Sequence, residues 1–173
     1  AYRWDVITPH RCCRLTLTGN LGRMDIYLIY ASGNYIDRMA MYRDIDRKMA
    51  PQDSSYSIMA GDWNFVEFYY DRIYNDNLST TGDTNFREAK YFQDHLTHKH
   101  RFRENEQPEF TYQGGLLRSS SRIDRIYHNT HITDLNRHEM GCKRLGYKKY
   151  LSDHSPVAFS RRKKENKDMI PVL

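Results

Sequence analysis

The sequence predicts a single α/β domain in which sheet packs with helices. Apolar periodicity switches along the chain from two-residue alternation to helical spacing and back, and the resulting order of strand pair, helix, strand, helix and several strands is neither all-β nor all-α. A chain of 173 residues makes one domain by default and can bury a real core, since roughly 70% of the unfolded surface leaves water at this size.

Residues 11–18 (RCCRLTLT) alternate, with Cys13, Leu15 and Leu17 on one side, and Thr18-Gly19-Asn20-Leu21-Gly22 then tolerates a turn. Residues 23–31 (RMDIYLIYA) resume as a strand, so the pair reads as a hairpin with a longish loop. Over residues 34–49 the period becomes helical: Ile36, Met39, Ala40, Ile45 and Met49 recur at that spacing and Pro51 stands just beyond. Residues 57–60 are a short apolar strand ending in Gly61-Asp62-Trp63-Asn64.

A second helix is marked by Phe86, Ala89, Phe92 and Leu96, with N-cap oxygens available from Asp83 to Asn85 and Glu88 in its first turn. Residues 110–112 and 121–127 read as two strands around the flexible Gly114-Gly115 connection, and residues 132–135 and 157–160 as two more. The domain is expected to occupy residues 1–160, followed by a basic tail at 161–173.

The hydrophobic fraction is only 39%, but 14 Tyr and 7 Phe can thicken a modest core. Net charge is +5; residues 161–168 hold five basic and two acidic side chains, hence +3, which leaves the body near balance at +2. That balance argues against a basic surface over the whole domain. Cys12, Cys13 and Cys142 are odd in number and lack metal-ligand spacing, which predicts reduced thiols and an intracellular, reducing compartment. The longest mainly apolar run, residues 26–31, is far shorter than the ~20 residues a membrane-spanning helix needs.

Three segments place polar groups at strand ends: Asp62 and Asn64, then Asp124 within SRIDRIY, then Asp153-His154 before the last strand. Each alone reads as ordinary structure: a turn, an exposed strand position, a surface loop. Three in this order are hard to obtain by chance. The succession GDWN, SRIDRIY, SDHSPV resembles the endonuclease/exonuclease/phosphatase family, over about residues 11–159. The wording GDWNFVE, SRIDRIY, LGY and LSDHSPV looks most like the endonuclease domains of non-LTR retrotransposons.

The resemblance implies a four-layer α/β sandwich, here incomplete, and Mg²⁺-dependent cleavage of a DNA or RNA phosphate backbone. It implies that Asp62 deprotonates the attacking water, Asn64 holds that water or a phosphate oxygen, and Asp153 serves the Mg²⁺ site. His154 would contact the scissile phosphate, Asp124 would fix the His154 tautomer, and Tyr30 would bring its hydroxyl to the same phosphate. Trp63, Phe110 and Tyr112 read as packing residues, and His95, His98 and His100 as a solvated helix end.

The family pattern also has an opening Asn strand and a metal-binding Glu ahead of the part matched here, and residues 1–10 (AYRWDVITPH) contain neither. The expectation is therefore that this chain alone is inactive, with an open sheet edge that a protein partner or further N-terminal segment covers. The alternative expectation is a non-catalytic interaction subunit of a larger assembly, and a third is nucleic-acid binding through the basic tail. Two smaller departures are Ala31-Ser32-Gly33 where the family's Tyr runs into Pro, and Arg125 where it carries an aromatic.

Overall fold

A computed structural model describes residues 1–80, 85–114, 119–146 and 151–164. In chain order the elements are β1 (Tyr2–Thr8), β2 (Cys12–Gly19), β3 (Gly22–Tyr30), α1 (Tyr35–Lys48), β4 (Tyr56–Asp62), β5 (Arg72–Tyr74), α2 (Phe86–Phe92), β6 (Arg103–Glu104), β7 (Tyr112–Gly114), β8 (Ser119–Ser121), β9 (Asp124–His128), α3 (Ile132–Arg137), β10 (His138–Arg144) and β11 (Val157–Lys163). The principal sheet has six strands in the order β1-β2-β3-β4-β9-β6; β5-β8-β7 and β10-β11 form two smaller sheets. The predicted α/β architecture, open mixed sheets flanked by helices, is the one observed.

All pairings in the principal sheet are antiparallel except β3 with β4, which are parallel. A parallel pair needs a crossover, and α1 is that crossover. It buries Met41, Tyr42 and Ile45 on one face of the sheet against Tyr27, Ile29, Met59 and Tyr127, while Trp63, Phe65, Phe92 and Leu96 complete the same core. The abundant aromatics meet edge to face here, as in Trp63 with Tyr127 and Tyr42 with Phe92.

The buried stripe of α1 is rotated from the expected one. Ile36 is 72% exposed, whereas Arg38 is buried, its guanidinium bonded to Glu88 of α2 at 2.5 and 2.7 Å. Periodicity counts apolar side chains and misses an arginine made buriable by a carboxylate from the next helix. Asn85 caps α2 by accepting from the Glu88 amide at 3.2 Å. Asp83, the other anticipated cap, lies outside the described residues, as do Gly115, Tyr147 of LGY and residues 165–173.

The β2–β3 hairpin closes with Gly19 opposite Gly22, so its loop is the two residues Asn20-Leu21 and not a long one. Residues 132–135, expected as a strand, belong to α3, because the His131 side chain accepts from the Thr133 amide and Asp134 sits in the first turn. SRIDRIY is two strands: β8 pairs with β5 and β7, β9 joins the principal sheet, and the chain changes sheets at Arg122-Ile123. The sequence pattern did not anticipate β1 and β10, and β11 carries Arg161, Arg162 and Lys163 of the expected tail into pairing with β10.

The sheet face away from α1 carries Tyr2, Trp4 and Val6 beside Leu17, Leu15 and Cys13 of β2. Tyr2, Trp4, Val6 and Leu28 remain 75, 53, 65 and 44% exposed. Farther across that face β11 lies over the sheet, with Phe159 near His128 and Arg161 over the Tyr56 ring. Cys12, Cys13 and Cys142 are unbridged. Among the described residues no helix is long and apolar enough to cross a membrane.

Candidate active site

Register places the candidate residues in one row. Tyr30 at the end of β3 pairs with Asp62 at the end of β4, and Asp62 pairs with Asp124 at the start of β9. Residues side by side in a ladder share a face, so these three side chains gather at one end of the sheet, on the side away from α1. Gly61 makes the approach of β3 and β4 feasible there. Its φ is +144°, and a Cβ would fall 1.9 Å from the Ile29 carbonyl oxygen.

The turn after β4 is fixed from both sides. The Asp62 carboxylate accepts from the Asn64 amide at 2.8 Å, the Asp62 carbonyl accepts from the Ala31 amide at 2.8 Å, and Asn64 takes a left-handed φ of 50°. Asn64 Nδ2 donates to the Ala31 carbonyl at 3.4 Å. Trp63 is the packing residue expected, fully buried, its indole N–H on the Arg125 carbonyl at 3.2 Å.

Opposite Asp62, Asp124 is held by its amide, which donates to the Thr111 hydroxyl at 3.0 Å. Its carboxylate stands 2.9 Å from His154 Nδ1. The hydrogen bond to Asp124 raises the His154 pKa above the ordinary 6.5, with Asp62 and Asp153 adding their negative fields. Burial, and then the nearby Asp124 carboxylate, lifts the Asp62 pKa above the usual 3.8, against the Asn64 hydrogen bond. The Tyr112 ring packs on His154 at 4.9 Å, and the two residues form a β-bridge. Asp124 and His154 line a cleft of about 420 Å³ whose walls include Leu28, Ala60, Ile126 and Val157.

Asp153 is exposed, and its carbonyl accepts from the Gln113 amide at 3.0 Å. Among the described residues no group of three or more His, Cys, Asp or Glu side chains converges to hold a metal ion. His95, stacked on Tyr91, and His98 are exposed as a solvated helix end would be, whereas His100 is half-buried against Asp46 at 2.7 Å and departs from that expectation.

Sequence reasoning missed the charged framework behind the site. Arg125, buried behind the Trp63 turn, bonds Glu67 at 2.9 Å and also Asp71, while Arg122 bonds Asp71 at 2.8 Å and also Glu104. The available signal was Arg125 itself, out of place beside a motif where an aromatic was expected and needing carboxylates if buried. Thr111, which anchors Asp124, gave no signal beyond its place in a strand.

No protein-family model matches this sequence, and no curated protein does. Solved structures do resemble it. An AP endonuclease from Archaeoglobus fulgidus superposes with a TM-score of 0.60 at 15% identity, covering 87% of this chain and 64% of that one. The endonuclease domain of TRAS1, a telomere-specific non-LTR retrotransposon, gives 0.59 at 15% identity, covering 91% and 66%. An endonuclease/exonuclease/phosphatase family protein from Leptotrichia buccalis gives 0.56 at 13% identity, covering 95% and 60%.

The chain has the endonuclease/exonuclease/phosphatase fold. At these identities the likeness concerns the fold, and the chain spans 60 to 66% of the length of those three structures.

Proposed function

We propose that the row of Tyr30, Asp62 and Asp124, together with His154 bonded to Asp124, is the water-activating and phosphate-contacting part of a phosphodiester-hydrolysing site that acts on nucleic acid. One observation carries this reading: Asp124, which pairs with Asp62 across adjacent strands, also holds the His154 ring at 2.9 Å, so a carboxylate whose proton affinity is raised and a histidine whose pKa is raised share one end of the sheet. Hydrolysis of a phosphodiester needs a base for the incoming water and a positive group where charge builds on the phosphoryl oxygens. Asp62 has the character of the first and His154 of the second. Asn64 would orient the water or a phosphate oxygen, and the Tyr30 hydroxyl would reach the same phosphate. The described residues do not complete a metal site, so no step here passes through Mg²⁺.

The named neighbours support this choice of chemistry: two are called endonucleases, one of them from a retrotransposon. The test is cleavage of duplex, abasic and single-stranded oligonucleotides with and without Mg²⁺. Cleavage abolished by Asp62→Asn and by His154→Ala supports the reading; cleavage unchanged in both variants overturns it.

The alternative, a non-catalytic interaction subunit, is favoured by the exposed Tyr2, Trp4, Val6 and Leu28 on one sheet face. A chain that stays monomeric in sedimentation at high concentration and alongside candidate partners would count against it.

A further inference from the structure

Beyond those four residues, a fifth stands on the strand next to Tyr30. The Tyr30 amide donates to the Arg11 carbonyl at 2.8 Å, which extends the β2–β3 ladder by one residue past the Cys12–Ile29 pair. Arg11, Tyr30, Asp62 and Asp124 are thus consecutive across four adjacent strands. Strands lie about 4.8 Å apart, so the Arg11 backbone is about 10 Å from that of Asp62.

The Arg11 guanidinium lies over the Tyr30 ring, 5.5 Å from its centre. The cation–π contact restrains the group without using its N–H donors, and among the described residues Arg11 forms no salt bridge to a carboxylate. Arg14, Arg38, Arg122 and Arg125, by contrast, are each engaged with an acidic side chain. Arg11 also borders a groove of about 270 Å³, shared with His10, Val6, Leu28 and Tyr30, on the same end of the sheet.

From this placement we propose that Arg11 binds the phosphate next to the one at Asp62 and His154, and that the groove beside it takes the flanking nucleotide. The inference rests on the phosphodiesterase reading of the site and sharpens its substrate to a polynucleotide with at least two consecutive phosphates. The groove's mixture of one cation with apolar walls suits a nucleotide: phosphate on the guanidinium, sugar or base against Val6 and Leu28. Arg11 is a positioning residue and does not touch the reacting atoms.

The test is binding of a fluorescent single-stranded oligonucleotide, measured by anisotropy across a salt series, for the wild-type chain, Arg11→Gln and Arg11→Lys, with melting curves to confirm folding. Arg11→Gln should weaken binding about tenfold and reduce the slope of log K against log salt by about 0.7. Arg11→Lys should recover the slope and only part of the affinity, because an ammonium does not stack as a fork. An oligonucleotide with one neutral methylphosphonate at the flanking position should bind the wild type about tenfold more weakly and Arg11→Gln no more weakly than the unmodified strand. Equal binding and slope in wild type and Arg11→Gln, or independent losses from the methylphosphonate and the substitution, overturns the Arg11 assignment alone. A wild-type chain that binds no oligonucleotide overturns this inference and the reading beneath it together.

Discussion

Asp124 and His154 face each other across 2.9 Å although 30 residues separate them, one at the start of a sheet strand and the other in the loop before the last strand. The hydrogen bond to the carboxylate raises the His154 pKa, and the positive field of a charged His154 in turn opposes the rise in the Asp62 pKa that burial and Asp124 cause.

Asp124→Asn should bring the His154 pKa back down toward 6.5, read by NMR titration of its ring protons. The folded-state pKa is raised, so the pair's contribution to stability is full below about pH 6.5 and is lost as pH rises through the higher folded value. The stability difference between wild type and Asp124→Asn should therefore be largest in mildly acidic solution and shrink toward pH 9. A constant difference would mean that His154 does not titrate against Asp124.

Gly61→Ala should destabilise the chain by at least about 1 to 3 kcal/mol in urea unfolding, through its strained backbone together with the clash on Ile29. Gly33→Ala, where a Cβ would meet nothing within 4 Å, is the matched control and should be far milder. Equal costs at the two positions would remove the close approach of β3 and β4 from the account.

Glu88→Ala should cost about 3 to 5 kcal/mol, since it strands the buried Arg38 guanidinium and the Tyr42 hydroxyl that donates to Glu88 at 3.0 Å. Arg38→Met combined with Glu88→Leu should recover most of that loss. Denaturant midpoints of the single and double variants check both statements, and additive costs would contradict the ion-pair explanation.

The candidate site was more legible in the sequence than the elements around it. GDWN, SRIDRIY and SDHSPV are short because each polar group is fixed by its own turn or strand end, and that local chemistry survives in a string of letters. What periodicity could not show were pairings between distant residues: Arg38 buried by Glu88, Arg125 by Glu67 and Asp71, Asp124 anchored by Thr111. Residues 132–135 were misread for a related reason: their Ile and Leu resemble a strand, but the His131 cap and Asp134 start a helix. The Cys13, Leu15 and Leu17 side of β2, only half-buried and turned away from α1, shows that alternation gives two faces without saying which one the helices cover.

The most direct test of the central claim is a Mg²⁺-supplemented cleavage assay that compares a complete protein carrying this chain and a metal-binding Glu segment with its Asp62→Asn and His154→Ala variants across pH 5 to 9 on one labelled oligonucleotide. Cleavage by the wild type, lost in both variants and falling at high pH as His154 gives up its proton, is the predicted result. Cleavage that persists in both variants, or wild-type cleavage that is absent throughout, would contradict it.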